Sequence, residues 1–180
     1  MARERCSAAL LLIDFINEFE FDGAERLFPR ALAAARATNE LRRRAKSAGI
    51  PAIYCNDNFG KWRSDFRSLL ERCLSSGVRG EPIARLLRPE EDDYFVLKPK
   101  HSAFHATSLP VLLAHLGART LVFSGVAGDY CVLFTAQDAY MEGYRVVVPR
   151  DCVASEPDED NEAALKHLEK VCKAETAPSA

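Results

Sequence analysis

The chain has 180 residues, the size of one compact domain with room for a sizeable core. Apolar residues make up 48% and charged residues 28%, which excludes a disordered body. With 24 Lys plus Arg against 26 Asp plus Glu, the formal charge of -2 gives no general grip on nucleic acid or anionic lipid. The apolar run from Ala8 to Ile13 is far shorter than the roughly 20 residues of a membrane span, and Asp14 follows it at once, so neither a signal peptide nor a transmembrane helix is expected. Six scattered cysteines with no C-x-x-C pair read as reduced thiols of a cytoplasmic protein.

Ala8 to Ile13 is continuously apolar, as a parallel strand covered on both faces should be, and it ends on the polar segment from Asp14. Helical spacing of Leu32, Ala35, Leu41 and Ala45 predicts a helix from Glu25 to Ser47, closed by Gly49. Pro51 to Cys55 then gives a second strand opening on the polar turn 56–58. Between Gly60 and Pro89 the pattern is mixed, with short helices at 65–74 and 82–87 around Ser75-Ser76-Gly77. Further strands are expected at 94–97, 120–123 and 144–148, and helices from Leu109 to Gly117, from Cys131 to Met141 and from Asn161 to Lys173; the tail from Glu175 to Ala180 reads as frayed. This alternation predicts a single α/β domain over 1–180, a three-layer α/β/α sandwich with a mainly parallel, doubly wound sheet.

In such folds ligands bind beyond the carboxyl ends of the strands, which directs attention to Asp14, Asp57, Lys98 and the turn before Cys131. A thiol near a helix N-terminus with an ammonium beside it is expected to ionise readily, while a carboxylate can carry the proton. Taken singly, each residue also has a plainer role: Cys131 as a small core residue, Asp14 as a turn or cap, and Lys98 as a surface lysine paired with Asp92 or Asp93.

Three ordered blocks carry a resemblance. They are Leu11-Leu12-Ile13-Asp14-Phe15-Ile16-Asn17-Glu18-Phe19, then Lys98-Pro99-Lys100-His101-Ser102-Ala103-Phe104 with Thr107 and Leu109, and then Gly125-Val126-Ala127-Gly128-Asp129-Tyr130-Cys131-Val132 with Thr135-Ala136 and Asp138-Ala139. Through them nearly the whole chain resembles the isochorismatase-like cysteine hydrolases, which include nicotinamidases and N-carbamoyl amide hydrolases. The resemblance implies a catalytic triad of Asp14, Lys98 and Cys131, a cis peptide at Val126-Ala127, and an oxyanion hole from the Ala127 and Cys131 N-H groups. It implies thiolate attack on an amide-type carbonyl of a small molecule, a thioester intermediate, no organic cofactor, and a homo-oligomer, dimer or tetramer.

Departures from the family pattern also count. Nicotinamidases carry an Asp-x-His pair after the second strand to bind a metal, but this chain reads Asp57-Asn58-Phe59, so no metal is expected. His101 and His105, four apart, make an incomplete ligand set. Ile16 and Glu18 stand where many members have Gln and Asp. Asn17, Phe19, Phe59, Trp62 and Tyr130 are candidates to wall a small pocket. The alternatives are vinyl ether hydrolysis of the isochorismatase type, a non-catalytic metabolite-binding oligomer, and a thiol redox sensor using Cys131 with Cys152 or Cys55.

Overall fold

The computed structural model describes residues 6–179. In chain order the elements are β1 (Ala8–Ile13), α1 (Ala24–Ser47), β2 (Ala52–Asp57), α2 (Phe66–Cys73), α3 (Glu81–Leu86), β3 (Tyr94–Lys98), α4 (Leu109–Leu116), β4 (Thr120–Val126), α5 (Leu133–Met141), β5 (Arg145–Val147), β6 (Val153–Ala154) and α6 (Asp158–Cys172). A wide π turn over Gly128–Val132 leads directly into α5. The strands lie in the order β3-β2-β1-β4-β5, every pair parallel, with β6 added against the far end of β4. Ala9 to Ile13 are buried because β1 is central and covered on both faces. Alternate β1 residues feed two cores. Leu11 and Ile13 face α4, α5 and α6, whereas Leu10 and Leu12 face α1, α2 and α3. None of the described helices is long and apolar enough to cross a membrane.

Parallel strands require crossovers, and the chain steps outward from β1 to β2 and β3 before returning to the other side of β1 with β4. The carboxyl ends of β1 and β4 therefore flank the point where the strand order reverses, where a crevice opens. Two strands run further into it than the apolar runs indicate. β2 extends through Asn56 and Asp57 by pairing with Leu97 and Lys98, and β4 extends through Val126 by pairing with β1 and β6. Polar residues at these ends are held by ladder hydrogen bonds that side-chain hydropathy does not report.

Two further differences lie in the C-terminal half. β6, two residues long, is too short to give a pattern. The tail is tied down rather than frayed: Glu175 bridges Val147 in the sheet, Thr176 is buried, and Ser179 donates both its backbone N-H (2.8 Å) and its hydroxyl (2.7 Å) to Asp151. Ala180 lies outside the described residues.

Gly125 sets how closely β4 can approach β1. Its φ is 142°, and a Cβ there would overlap the Ile13 carbonyl oxygen. Both partners are backbone in mid-sheet, so neither can move aside. Gly125→Ala is expected to lower stability by about 1–3 kcal/mol, read as a lower urea midpoint; an unchanged midpoint would contradict this packing.

Candidate active site

Asp14 is the first residue beyond β1 and turns out of the strand in the left-handed region, φ 52°, which aspartate tolerates better than most residues. Its backbone N-H still donates to Cys55 (3.0 Å), so the turn is fixed to β2. One carboxylate oxygen accepts the Asp57 N-H at 2.6 Å and the other meets the Lys98 Nζ at 2.8 Å. Lys98 closes β3 and is 0% exposed. Its ammonium also lies 3.6 Å from Asp57, 3.4 Å from the Cys131 Sγ and 3.3 Å from the Lys100 carbonyl oxygen. A surface role for Lys98 is thereby excluded. Asp92 pairs with Lys46 and Asp93 with Arg42 and Lys46, while Lys100 points to solvent.

Cys131 lies in the π turn that opens the α5 helix, so the helical path begins at Gly128, three residues before the start that the sequence predicts. The peptide bond Val126-Ala127 that precedes this turn is cis. Two networks hold the turn. The Asp129 N-H donates to the Ser155 hydroxyl (3.0 Å), which lies 3.2 Å from Asn161 Oδ1 on α6, and that oxygen fills the space a side chain on Gly128 would need. Thr135 on α5 donates to the Cys131 carbonyl (2.6 Å) and accepts from the Ala103 N-H (3.1 Å), while Ser102 donates to Asp138 (2.5 Å). These bonds tie the segment after Lys98 to the helix that carries Cys131.

The Ala127 N-H donates to no group among the described residues. The Cys131 N-H belongs to a first helical turn, where such groups have no partner within the helix. Both border a cleft of roughly 440 Å³ at the carboxyl ends of the strands. Of the candidate wall residues, Asn17, Phe59 and Tyr130 line it and two do not. Phe19 is 0% exposed because its ring packs into the core against Phe28, and Trp62 is 78% exposed on the segment after β2, outside the cleft. Asp57, singled out as a strand end, also lines the cleft, with Phe21, Asp22, Arg26 and Glu156, which the sequence reading left out. His101 places its Nδ1 3.8 Å from the Cys131 sulfur; the sequence pattern weighed it only as half of a ligand pair with His105, which does not line the cleft. A second hollow, about 380 Å³ and lined by Cys6, Lys46, Tyr94 and Leu116 among others, sits at the opposite ends of the strands and gathers no comparable chemistry.

Electrostatics revise the picture of a resting thiolate. Burial, and then the neighbouring Asp14 charge, push the Cys131 thiol above the ordinary cysteine range, against the pull of Lys98. Burial also raises the Asp14 carboxyl, again against Lys98. For Lys98 burial opposes the charge, but Asp14, Cys131 and Asp57 outweigh it and hold the ammonium protonated. One cation between two acids supports one anion well and a second poorly, so Asp14 and Cys131 compete for a single negative charge.

The nicotinamidase type of metal site does not fit these residues. Asp57 directs its carboxylate to Lys98 and to the Phe59 N-H (2.6 Å), Asn58 caps Gly60, and Phe59 offers no donor. Among the described residues no three His, Cys, Asp or Glu side chains are grouped to hold a metal ion.

Comparison with known proteins agrees with the fold. The isochorismatase domain model matches residues 8–178, and the chain belongs to the isochorismatase family of hydrolases. An uncharacterised isochorismatase family protein of Bacillus subtilis (strain 168) is 42% identical over 171 residues, covering 95% of this chain and 93% of its own length. The maleamate amidohydrolase of Pseudomonas putida is 29% identical over 163 residues, covering 87% of this chain and 76% of that enzyme. Among solved structures, N-carbamoylsarcosine amidase from Thermoplasma acidophilum superimposes with a TM-score of 0.75 at 27% identity, covering 97% of each chain.

Competition for one charge has a measurable sign. Asp14→Asn removes the anion that raises the thiol, so the pH profile of Cys131 alkylation by iodoacetamide should shift to lower pH; Lys98→Met removes the cation and should shift it to higher pH. Profiles that coincide with wild type in both variants would contradict the coupling.

Proposed function

We propose that this protein is a cysteine hydrolase that cleaves the carbon-nitrogen bond of a small amide or ureido compound through a thioester on Cys131. The observation that carries this reading is the Lys98 ammonium, buried within 3.4 Å of both the Asp14 carboxylate and the Cys131 sulfur at the floor of an open cleft. Maleamate amidohydrolase and N-carbamoylsarcosine amidase, both similar over most of this chain, are named for cleavage of such bonds.

In this mechanism Asp14 takes the thiol proton as the Cys131 sulfur bonds to the substrate carbonyl carbon. The two acids exchange one proton beside Lys98, so the net charge of the buried group stays constant while the thiolate forms. The carbonyl oxygen becomes an oxyanion and receives the Ala127 and Cys131 N-H groups. Protonated Asp14 then gives its proton to the departing nitrogen, and ammonia or an amine leaves behind a thioester. Water attacks the thioester and passes a proton to Asp14, the acid product departs, and the thiol is restored. The raised Asp14 carboxyl suits a group that must both accept and return a proton. His101 contacts the sulfur from the solvent side and helps to keep it in place.

A vinyl ether substrate is the second reading, supported by the family's name, and it needs no covalent sulfur. Cys131→Ala separates the two. It should abolish ammonia release from a panel of small amides, and Asp14→Asn should lower kcat about 10²- to 10⁴-fold, the range for a lost general acid-base. Wild-type turnover in Cys131→Ala would end the covalent reading.

We also propose that the protein self-associates around the cleft mouth. Phe21, Phe59, Tyr130 and Phe134 are all exposed there, an apolar rim that a second copy would cover. A single monomeric boundary in sedimentation velocity at micromolar concentration would count against this.

A further inference from the structure

Two side-chain nitrogens face the Cys131 sulfur. Lys98 Nζ approaches from the buried side at 3.4 Å. His101 Nδ1 stands 3.8 Å away, on an exposed ring that borders the cleft. Among the described residues this ring nitrogen has no other hydrogen-bonding partner.

The ring is placed by the same groups that place the sulfur. Lys98 also donates to the Lys100 carbonyl, 3.3 Å, one residue before His101. On the other side Ser102 is buried with its hydroxyl on Asp138, 2.5 Å, and the Ala103 N-H donates to Thr135, 3.1 Å. Thr135 in turn donates to the Cys131 carbonyl, so common partners brace the backbone at both ends of the contact. The imidazole lies between Tyr130 and Phe134, with ring centroids 5.8 and 5.6 Å away. Backbone fixed on both sides and flanking rings give this exposed side chain a defined position.

Which atom donates follows from counting protons. A thiol has one hydrogen, and in the mechanism above it goes to Asp14. The sulfur therefore has only lone pairs to offer His101, and the contact is favourable when Nδ1 carries the hydrogen. Negative charge rises on the sulfur twice: as the thiolate forms, and again as it leaves the adduct of water with the thioester. A hydrogen bond to the charged form favours that form, and charge-assisted bonds are the stronger ones. Such bonds are often long before substrate binds and tighten during the reaction. The charged and titratable groups at this end of the cleft are Asp14, Asp57 on β2, Lys98, His101, and Asp129 and Tyr130 in the turn itself. Of these, Lys98 and His101 are the donors that meet the sulfur.

We propose that His101 is a further catalytic residue, whose Nδ1-H hydrogen-bonds the Cys131 sulfur from the cleft side and stabilises its anion together with Lys98. No proton leaves the ring at any step, and Asp14 still takes and returns the proton that moves. The role of His101 in turnover rests on the cysteine hydrolase reading; its bond to the sulfur does not.

Two variants at one position test the bond. In His101→Asn the amide nitrogen can occupy the place of Nδ1, whereas His101→Leu fills similar space with no donor. Alkylation of Cys131 by iodoacetamide is followed against pH by peptide mass spectrometry, which requires no substrate. The profile of His101→Leu should lie about 0.5–1 pH unit above wild type, the size of one lost hydrogen bond. His101→Asn should recover most of that shift. A wild-type profile in His101→Leu, a shift to lower pH, or equal displacement of both variants would overturn the proposal. Ammonia release from small amides is scored separately. His101→Leu should lower kcat about 3- to 10-fold with KM nearly unchanged, because the bond strengthens only as charge develops. An unchanged kcat in His101→Leu would overturn the catalytic role. The alkylation shift without ammonia release by the wild type would count against the hydrolase reading and leave the bond standing.

Discussion

The arrangement depends on one buried ammonium. Lys98 ends β3, two strands away from β1, and neighbouring strands are about 4.8 Å apart, so its charge must travel beneath the end of β2 to reach Asp14. A long unbranched stem does this, and burial of the stem among strand ends holds it there. Once in place, the ammonium accounts for its neighbours: Asp14 leaves its strand in a left-handed turn to face it, Asp57 remains in register to face it from β2, and the Cys131 sulfur completes the set. Without that charge Asp14 and Asp57 would confront each other across the bottom of the cleft with nothing between them, a situation far more costly than the ion pair itself is favourable.

The turn that carries Cys131 meets the ammonium through a second constraint, which is steric. Gly125 lets β4 close onto β1, and Gly128 lets Asn161 and Ser155 pack under the turn from the far end of the chain. β6, itself only two residues, delivers Ser155 to that point through its pairing with β4. The thiol is therefore fixed by contacts from β4, α5, α6 and the loop after Lys98 together, the rigidity that the proposed nucleophile and oxyanion donors would require.

Much of this is legible in the sequence where side-chain pattern and local structure agree. The apolar run Ala8–Ile13 is β1 to the residue, and the helices that start near Ala24 and end at Ser47 and Leu116 close where small residues and glycine predict. Asp14, Lys98 and Cys131 all stand at strand ends, and the sheet order brings them into contact. What the pattern misses has a physical reason in each case. Asn56 and Asp57 are polar yet paired in β2, because the neighbouring strand rather than hydropathy keeps them extended. Phe19 and Trp62 are both aromatic residues near strand ends, but only tertiary packing decides that one is core and the other surface. Arg26, His101 and Glu156 belong to no common spacing and converge through the fold alone. The reactivity of Cys131 is the instructive case: a neighbouring lysine suggests a thiolate, while burial beside the Asp14 carboxylate makes that thiolate depend on where one proton resides.

The central claim is that Cys131 becomes covalently attached to the acyl half of the substrate. It is tested most directly by rapid acid quench of the wild-type enzyme during turnover of an amide, followed by mass analysis of the peptide that contains Cys131. The account predicts an acyl adduct on that thiol, formed no later than the first equivalent of ammonia and lost as product accumulates. Ammonia released with Cys131 unmodified at every time point would contradict it.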